Sequence, residues 1–137
     1  RTMKPVVALA TPEDMQDVKR LCQQTGYDLP YNDIDWETSF PYWLVARVDE
    51  KIVGCLQVVP SRPMGYAEFL ALDETLEPVL KARVFKAIES QAKAVMQLGG
   101  SSLMGFMITF PFKNYKRLLK RRGYDVVASG NVLATRI

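Results

Sequence analysis

YAEFLALDETLEPVLKARVFKAIESQAKAVMQL, residues 66–98, holds the junction that decides the fold. Tyr66 to Leu72 reads as a strand, and Glu68 is the one acid among its apolar neighbours. Glu77-Pro78 then opens the longest helix of the chain, because proline's fixed φ and missing N–H suit a first helical turn. Val79, Leu80, Val84, Ala87, Ile88, Gln91, Val95 and Leu98 recur at helical spacing and predict its buried stripe. Gly99-Gly100 ends it. A strand feeding a long helix predicts a sheet with a helix laid across it.

Upstream, Tyr42 to Val48 and Ile52 to Val59 are apolar and β-branched runs separated by Asp49-Glu50-Lys51, which predicts a hairpin. Pro60, Pro63 and Gly65 punctuate a loop after it. Val6 to Ala10 is a first strand, and Thr11-Pro12-Glu13-Asp14 starts a helix that carries Met15, Val18, Leu21 and Cys22 and stops at Gly26. A short helix is expected over 32–39.

Downstream, Ser102 to Thr109 suits a buried strand, and Pro111 to Arg122 a helix with Phe112, Tyr115, Leu118 and Leu119 on one face. Gly123 is its cap, and two final strands are expected at Asp125 to Ala128 and Val132 to Ile137. The whole predicts one domain over 1–137: an α/β (α+β) fold with a mixed, mostly antiparallel sheet of about seven strands flanked by helices.

Composition sets limits on the chemistry. The 137 residues are 48% apolar, which suits one packed core and excludes a disordered chain. No apolar run approaches the ~20 residues that span a bilayer, and Val6 to Ala10 is too short for a secretory signal. Cys22 and Cys55 lack ligand-like spacing and read as buried thiols of a reducing compartment, so a cytoplasmic location is expected. Histidine is absent, which removes Ser-His and Cys-His nucleophile pairs and most zinc sites. Proton transfer would fall to carboxylate, tyrosine, lysine, cysteine or water.

Three features, taken in order, resemble the GNAT superfamily of acyl-CoA-dependent N-acyltransferases over nearly the whole chain. They are the strand leading into Ala10-Thr11-Pro12-Glu13-Asp14, the hairpin Trp43 to Val59 with Gly54 after its tip, and the helix end Leu118-Leu119-Lys120-Arg121-Arg122-Gly123-Tyr124. The resemblance implies acetyl-CoA as acyl donor and an amine, of a small molecule or a protein, as acceptor. It implies that backbone of Leu70, Ala71 and Leu72 holds the coenzyme's acyl arm. The coenzyme loop, Q/R-x-x-G-x-G/A in the family, aligns with Glu77-Pro78-Val79-Leu80-Lys81-Ala82, where only Ala82 matches. Leu80, Lys81 and Ala82 are thus the expected phosphate-side contacts, helped by the helix dipole.

Glu68 is the expected general base. An isolated acid in a central strand costs free energy unless paired or functional, and burial would raise its pKa. A glutamate on this strand serves that role in some family members. The other readings of Glu68 are a solvent-facing side chain or an ion pair. The family's usual acid position is Leu119 here, so Tyr115, one turn earlier, is the substitute candidate; the better reading of it is a core residue. Tyr27, Asp28 and Tyr31 fall where the family admits acceptor substrate. Asp73 and Glu74 are expected to cap the long helix or to bind a cationic substrate.

Two other functions compete. A GNAT-fold interaction or structural module without catalysis fits the altered loop and Leu119; compact chains of this kind also occur in bacteriophages. A nucleic-acid contact rests on Lys113, Lys116, Arg117, Lys120, Arg121 and Arg122 alone, a run that also reads as a solvated helix face. The oligomeric state, monomer or homodimer, is left open.

Overall fold

A computed structural model describes residues 4–108 and 113–137. The chain divides between Phe106 and Met107 into a larger and a smaller compact unit. In the larger one, β1 (Val6–Leu9) leads through a 3-10 turn (Pro12–Asp14) into α1 (Met15–Thr25) and α2 (Asp33–Thr38). β2 (Trp43–Val48), β3 (Lys51–Val59), β4 (Met64–Leu72), α3 (Pro78–Leu98) and β5 (Leu103–Met107, its last residue being the first of the smaller unit) follow. The sheet order is β1-β2-β3-β4-β5, and the first three pairings are antiparallel. Ser102 and Leu103 N–H both donate to the Pro63 carbonyl, at 2.9 and 3.2 Å, so β5 starts beside the start of β4. Strands joined by a crossover helix in this way run parallel.

The mixed α/β class and the order of elements are as predicted, but the strand count is a correction. Among the described residues the sheet has five strands, and residues 124–137 carry none. Val126, Val127, Val132 and Leu133, whose branched and apolar character predicted strands there, are exposed. Strand preference is realised only when a side chain packs against a neighbouring strand. Phe112 and the start of the last helix expected from Pro111 lie outside the described residues. The smaller unit carries α4 (Lys113–Arg121), which ends at Gly123 with φ 91°.

Local chemistry explains the turns. Val48 pairs with Lys51, leaving a two-residue turn of Asp49 and Glu50, both at positive φ. Such a turn matches the twist of a hairpin. Gly26, at φ 97°, closes α1: its N–H donates to Gln23 O at 3.1 Å and Tyr27 N–H donates to Cys22 O at 3.0 Å. That doubled cap aims the chain at Tyr27 back toward the sheet.

Two cores cover the sheet. Met15, Val18, Leu21 and Cys22 of α1, with Trp36 of α2, pack on Trp43, Val45, Cys55 and Ala71. On the opposite face, a Cβ added to Gly54 would lie 3.0 Å from both Ile88 Cδ1 and Val84 Cγ1, so its absence lets α3 lie close on β3. The buried stripe of α3 is Val84, Phe85, Ile88, Glu89, Ala92 and Met96. This corrects the predicted stripe at both ends and in the middle, since Val79 is 65% and Leu98 90% exposed and Gln91 faces solvent. The apolar letters hid that Glu89 belongs to the buried side, where Lys93 lies 3.8 Å from its carboxylate.

Candidate functional site

β4 is irregular where the site was expected. Cys55 pairs with Ala71 but Gln57 pairs with Glu68, so Phe69 and Leu70 together oppose Leu56. This is a β-bulge, and Phe69 adopts φ 58°, a conformation that a bulky residue takes only when its surroundings impose it. β5 has five residues against nine in β4. Starting level with Met64, it reaches Glu68 by length alone, so Phe69 to Leu72 project beyond it among the described residues.

Glu68 is half-buried and lies directly across from Gln57. Opposite residues share a sheet face, and this face is the one covered by α1 and α2. Burial raises the Glu68 pKa above the ordinary carboxylate value. Among the described residues no lysine or arginine lies within ion-pair distance of it. Gln57 is itself buried, and its Nε2 donates to Tyr31 Oη at 3.4 Å. The Tyr31 ring stands edge-on to Trp36, with centroids 4.9 Å apart. Gln57 was not singled out from sequence. Its signal is a lone amide in the β-branched run Ile52 to Val59, legible only once register places it opposite Glu68.

Tyr27 reaches the same strand. Its hydroxyl donates to the Leu70 carbonyl at 2.7 Å, and its ring meets Phe69 edge to face at 5.4 Å. Asp28 is exposed beside it. The structure therefore brings Glu68, Leu70, Ala71, Tyr27 and Tyr31 together around the bulge. Leu80, Lys81 and Ala82 lie in the first turns of α3, where Leu80 and Lys81 are half-buried and Ala82 is exposed. Tyr115 and Leu119 belong to the smaller unit, Tyr115 half-buried and Leu119 buried.

Asp73 does not cap α3, whose N-cap residue is Glu77. Asp73 is buried, its Oδ1 accepts from Thr75 Oγ1 at 2.7 Å and from Thr75 N–H at 2.9 Å, and Lys51 and Arg20 lie 3.9 and 4.0 Å away. Burial pushes its pKa up, but the two Thr75 bonds and then the two cations outweigh it and leave the carboxyl below its ordinary value. It ties the end of β4 to its own turn, while Glu77 is the N-cap residue of α3 and makes no side-chain cap. Cys22 and Cys55 are free and buried, as expected. Burial, and then the Cys22 thiol, push the Cys55 pKa well up, so it holds no ready thiolate.

A surface cleft of about 480 Å³ lies elsewhere, lined by Glu13, Gln16, Lys19, Asp33, Trp36 and Glu37 among others, and includes none of these residues. Among the described residues no group of carboxylates or thiols could hold a metal, and no helix is long and apolar enough to cross a membrane.

No protein-family model matches the chain, and no curated protein matches it in sequence. Solved structures match its fold. An aminoglycoside N-acetyltransferase in complex with CoA superposes with TM-score 0.70 at 11% identity, over 100% of this chain and 98% of that one. A transcriptional regulator from Bacillus halodurans gives 0.73 at 14%, over 96% and 99%. Diaminobutyrate acetyltransferase from Paenibacillus lautus, in complex with L-2,4-diaminobutyric acid and coenzyme A, gives 0.66 at 13%, over 88% and 75%. At these identities the likeness shows the fold: this chain has the GNAT acetyltransferase fold.

Proposed function

We propose that the chain is a divergent GNAT superfamily member that transfers an acetyl group from acetyl-CoA to an amine. The observation that carries this reading is Glu68, half-buried, without a cationic partner among the described residues, and adjacent to the bulge at Phe69. The likeness to two structures that hold CoA supports the choice of donor.

The donor set fits an anionic coenzyme, with fewer contacts than a glycine loop offers. Pro78 has no N–H, and the first helical bond runs from Lys81 N–H to Glu77 O at 2.8 Å. Val79 and Leu80 N–H therefore point out of the helix start with no side-chain cap on them. Lys81 adds a positive charge there, and the helix dipole contributes about 0.3–1 kcal/mol for a nearby anion. Glu77 opposes it. Backbone of Leu70 to Leu72 would hold the acyl arm.

When bound, the coenzyme would supply an acetyl thioester. Glu68 would take one proton from the substrate ammonium; the free amine would form the C–N bond as the C–S bond breaks, and the second nitrogen proton would leave on the coenzyme thiol. Burial suits it to that task, because a base with a raised pKa grips the proton better at neutral pH. Tyr31, oriented by Gln57, lines the acceptor side with Asp28. The amine, whether of a small molecule or a protein, is the less defined half of the reaction.

Amine-dependent release of free thiol from acetyl-CoA tests this reading. Glu68→Gln should lower kcat by roughly a hundredfold or more, as loss of a general base does. A wild-type protein that releases no thiol with any of a panel of primary amines contradicts it. Acetyl-CoA binding without turnover would favour the second reading, a non-catalytic module of this fold, to which Leu119 and the Glu77-Pro78-Val79-Leu80 loop already lean.

A further inference from the structure

The bulge in β4 has a structural cost. Two residues, Phe69 and Leu70, face one residue of β3, so the ladder there cannot satisfy every backbone group. Leu70 is 1% exposed, and a buried carbonyl without a partner is costly. The Leu70 carbonyl is satisfied from outside the sheet, by the Tyr27 hydroxyl at 2.7 Å. The Tyr27 ring also packs edge-on against Phe69, the residue held at φ 58°. Tyr27 thus touches both residues of the bulge. Its own position is set by the doubled cap at the end of α1, where Gly26 adopts φ 97° and Tyr27 N–H donates to Cys22 O.

A phenol has one proton to donate. That of Tyr27 is committed to Leu70. We propose that Tyr27 is a positioning residue: its hydroxyl and ring hold the Phe69–Leu70 bulge open, and so keep the Leu70 to Leu72 backbone in the register that receives the coenzyme. This rests on the acetyltransferase reading and gives Tyr27 a place on the donor side of the site, where the family resemblance implied the acceptor side. The clamp couples α1 to β4 without touching the reacting atoms.

Tyr27→Phe keeps the ring against Phe69 and removes only the hydroxyl. Two readouts are taken on wild type and variant: separate KM values for acetyl-CoA and for the amine, and backbone amide hydrogen exchange over residues 69–72. The expected result is a rise in acetyl-CoA KM of roughly three- to tenfold, the worth of one neutral hydrogen bond. The amine KM should stay within about twofold, and exchange at 69–72 should quicken by a similar factor. Gly26→Ala, which strains the cap that aims Tyr27, should move both readouts in the same direction. A rise confined to the amine KM, an equal rise in both, or unchanged KM values with unchanged exchange overturns the proposal. If wild type neither binds nor turns over acetyl-CoA, the function reading fails. Exchange at 69–72 then decides the clamp by itself: faster exchange in Tyr27→Phe supports it and equal exchange overturns it.

Discussion

Glu68 and Asp73, five positions apart on and just after β4, show how the same chemical group is steered in opposite directions. Glu68 loses water, so its pKa rises. Asp73 is less exposed to solvent, yet the Thr75 bonds with Lys51 and Arg20 bring it down. The pH consequences have opposite signs. A folded-state pKa raised as in Glu68 gives stability at low pH that is lost as pH rises through that pKa. Its deprotonated form is the active base, so kcat/KM should rise with pH over the same interval, and Glu68→Gln should flatten both profiles. For Asp73 the folded pKa is depressed, so its stabilisation is present above the ordinary carboxyl value and disappears as pH falls through the lowered one. Asp73→Asn keeps an acceptor oxygen for Thr75 but removes the negative charge beside Lys51 and Arg20, and should destabilise at pH 7 by roughly 1–3 kcal/mol. The gap to wild type should close in acid. Denaturant titrations across pH check this, and a gap independent of pH would show that the charge plays no part. Glu68 was legible in the sequence as an acid in an apolar strand. The role of Asp73 was not, because its Lys51 and Arg20 partners come from β3 and α1, distant in sequence.

The elements most legible were those whose signals are local. Thr11-Pro12 at a helix start, Gly26 at a helix end and the polar pair Asp49-Glu50 between two branched runs each act through their own backbone, so order along the chain could be read directly. Features made by pairing could not. The bulge at Phe69–Leu70 depends on how β4 registers on β3, and nothing in Tyr66 to Leu72 marks it. Gln57 becomes notable only opposite Glu68. The helical stripe of α3 was read a little out of phase, since Glu89 is buried while Val79 and Leu98 are not. Close contact between α3 and β3 gives a prediction at this scale. Gly54→Val would push carbon into Ile88, Val84 and Leu72, whose atoms already lie 3.0–3.1 Å from a Cβ at that position. Overpacking of this kind costs roughly 1–3 kcal/mol or more, to be measured by urea denaturation. A variant as stable as wild type would mean that α3 does not sit so close.

At the scale of the molecule, charge is divided unevenly. Residues 107–137 hold seven Lys or Arg and one acid, net +6, while residues 1–106 hold eleven and fourteen, net −3, which together give the chain's +3. The chemistry assigned above lies mainly in the acidic larger unit, where the bulged strand runs into α3. The account stands or falls on whether that junction takes a coenzyme. The direct measurement is the melting temperature with and without millimolar acetyl-CoA, because a ligand that binds only the folded state raises it. Binding at a hundred times Kd stabilises by about 2.7 kcal/mol and should raise Tm by roughly 5–10 °C. Leu80→Glu, which places an anion beside the free N–H groups of the helix start, should reduce that rise to less than half. Leu98→Glu, the same change at the far exposed end of a helix about 30 Å long, should leave it intact. No rise in the wild-type protein, or a rise that Leu80→Glu leaves untouched, would contradict a coenzyme site at the start of α3.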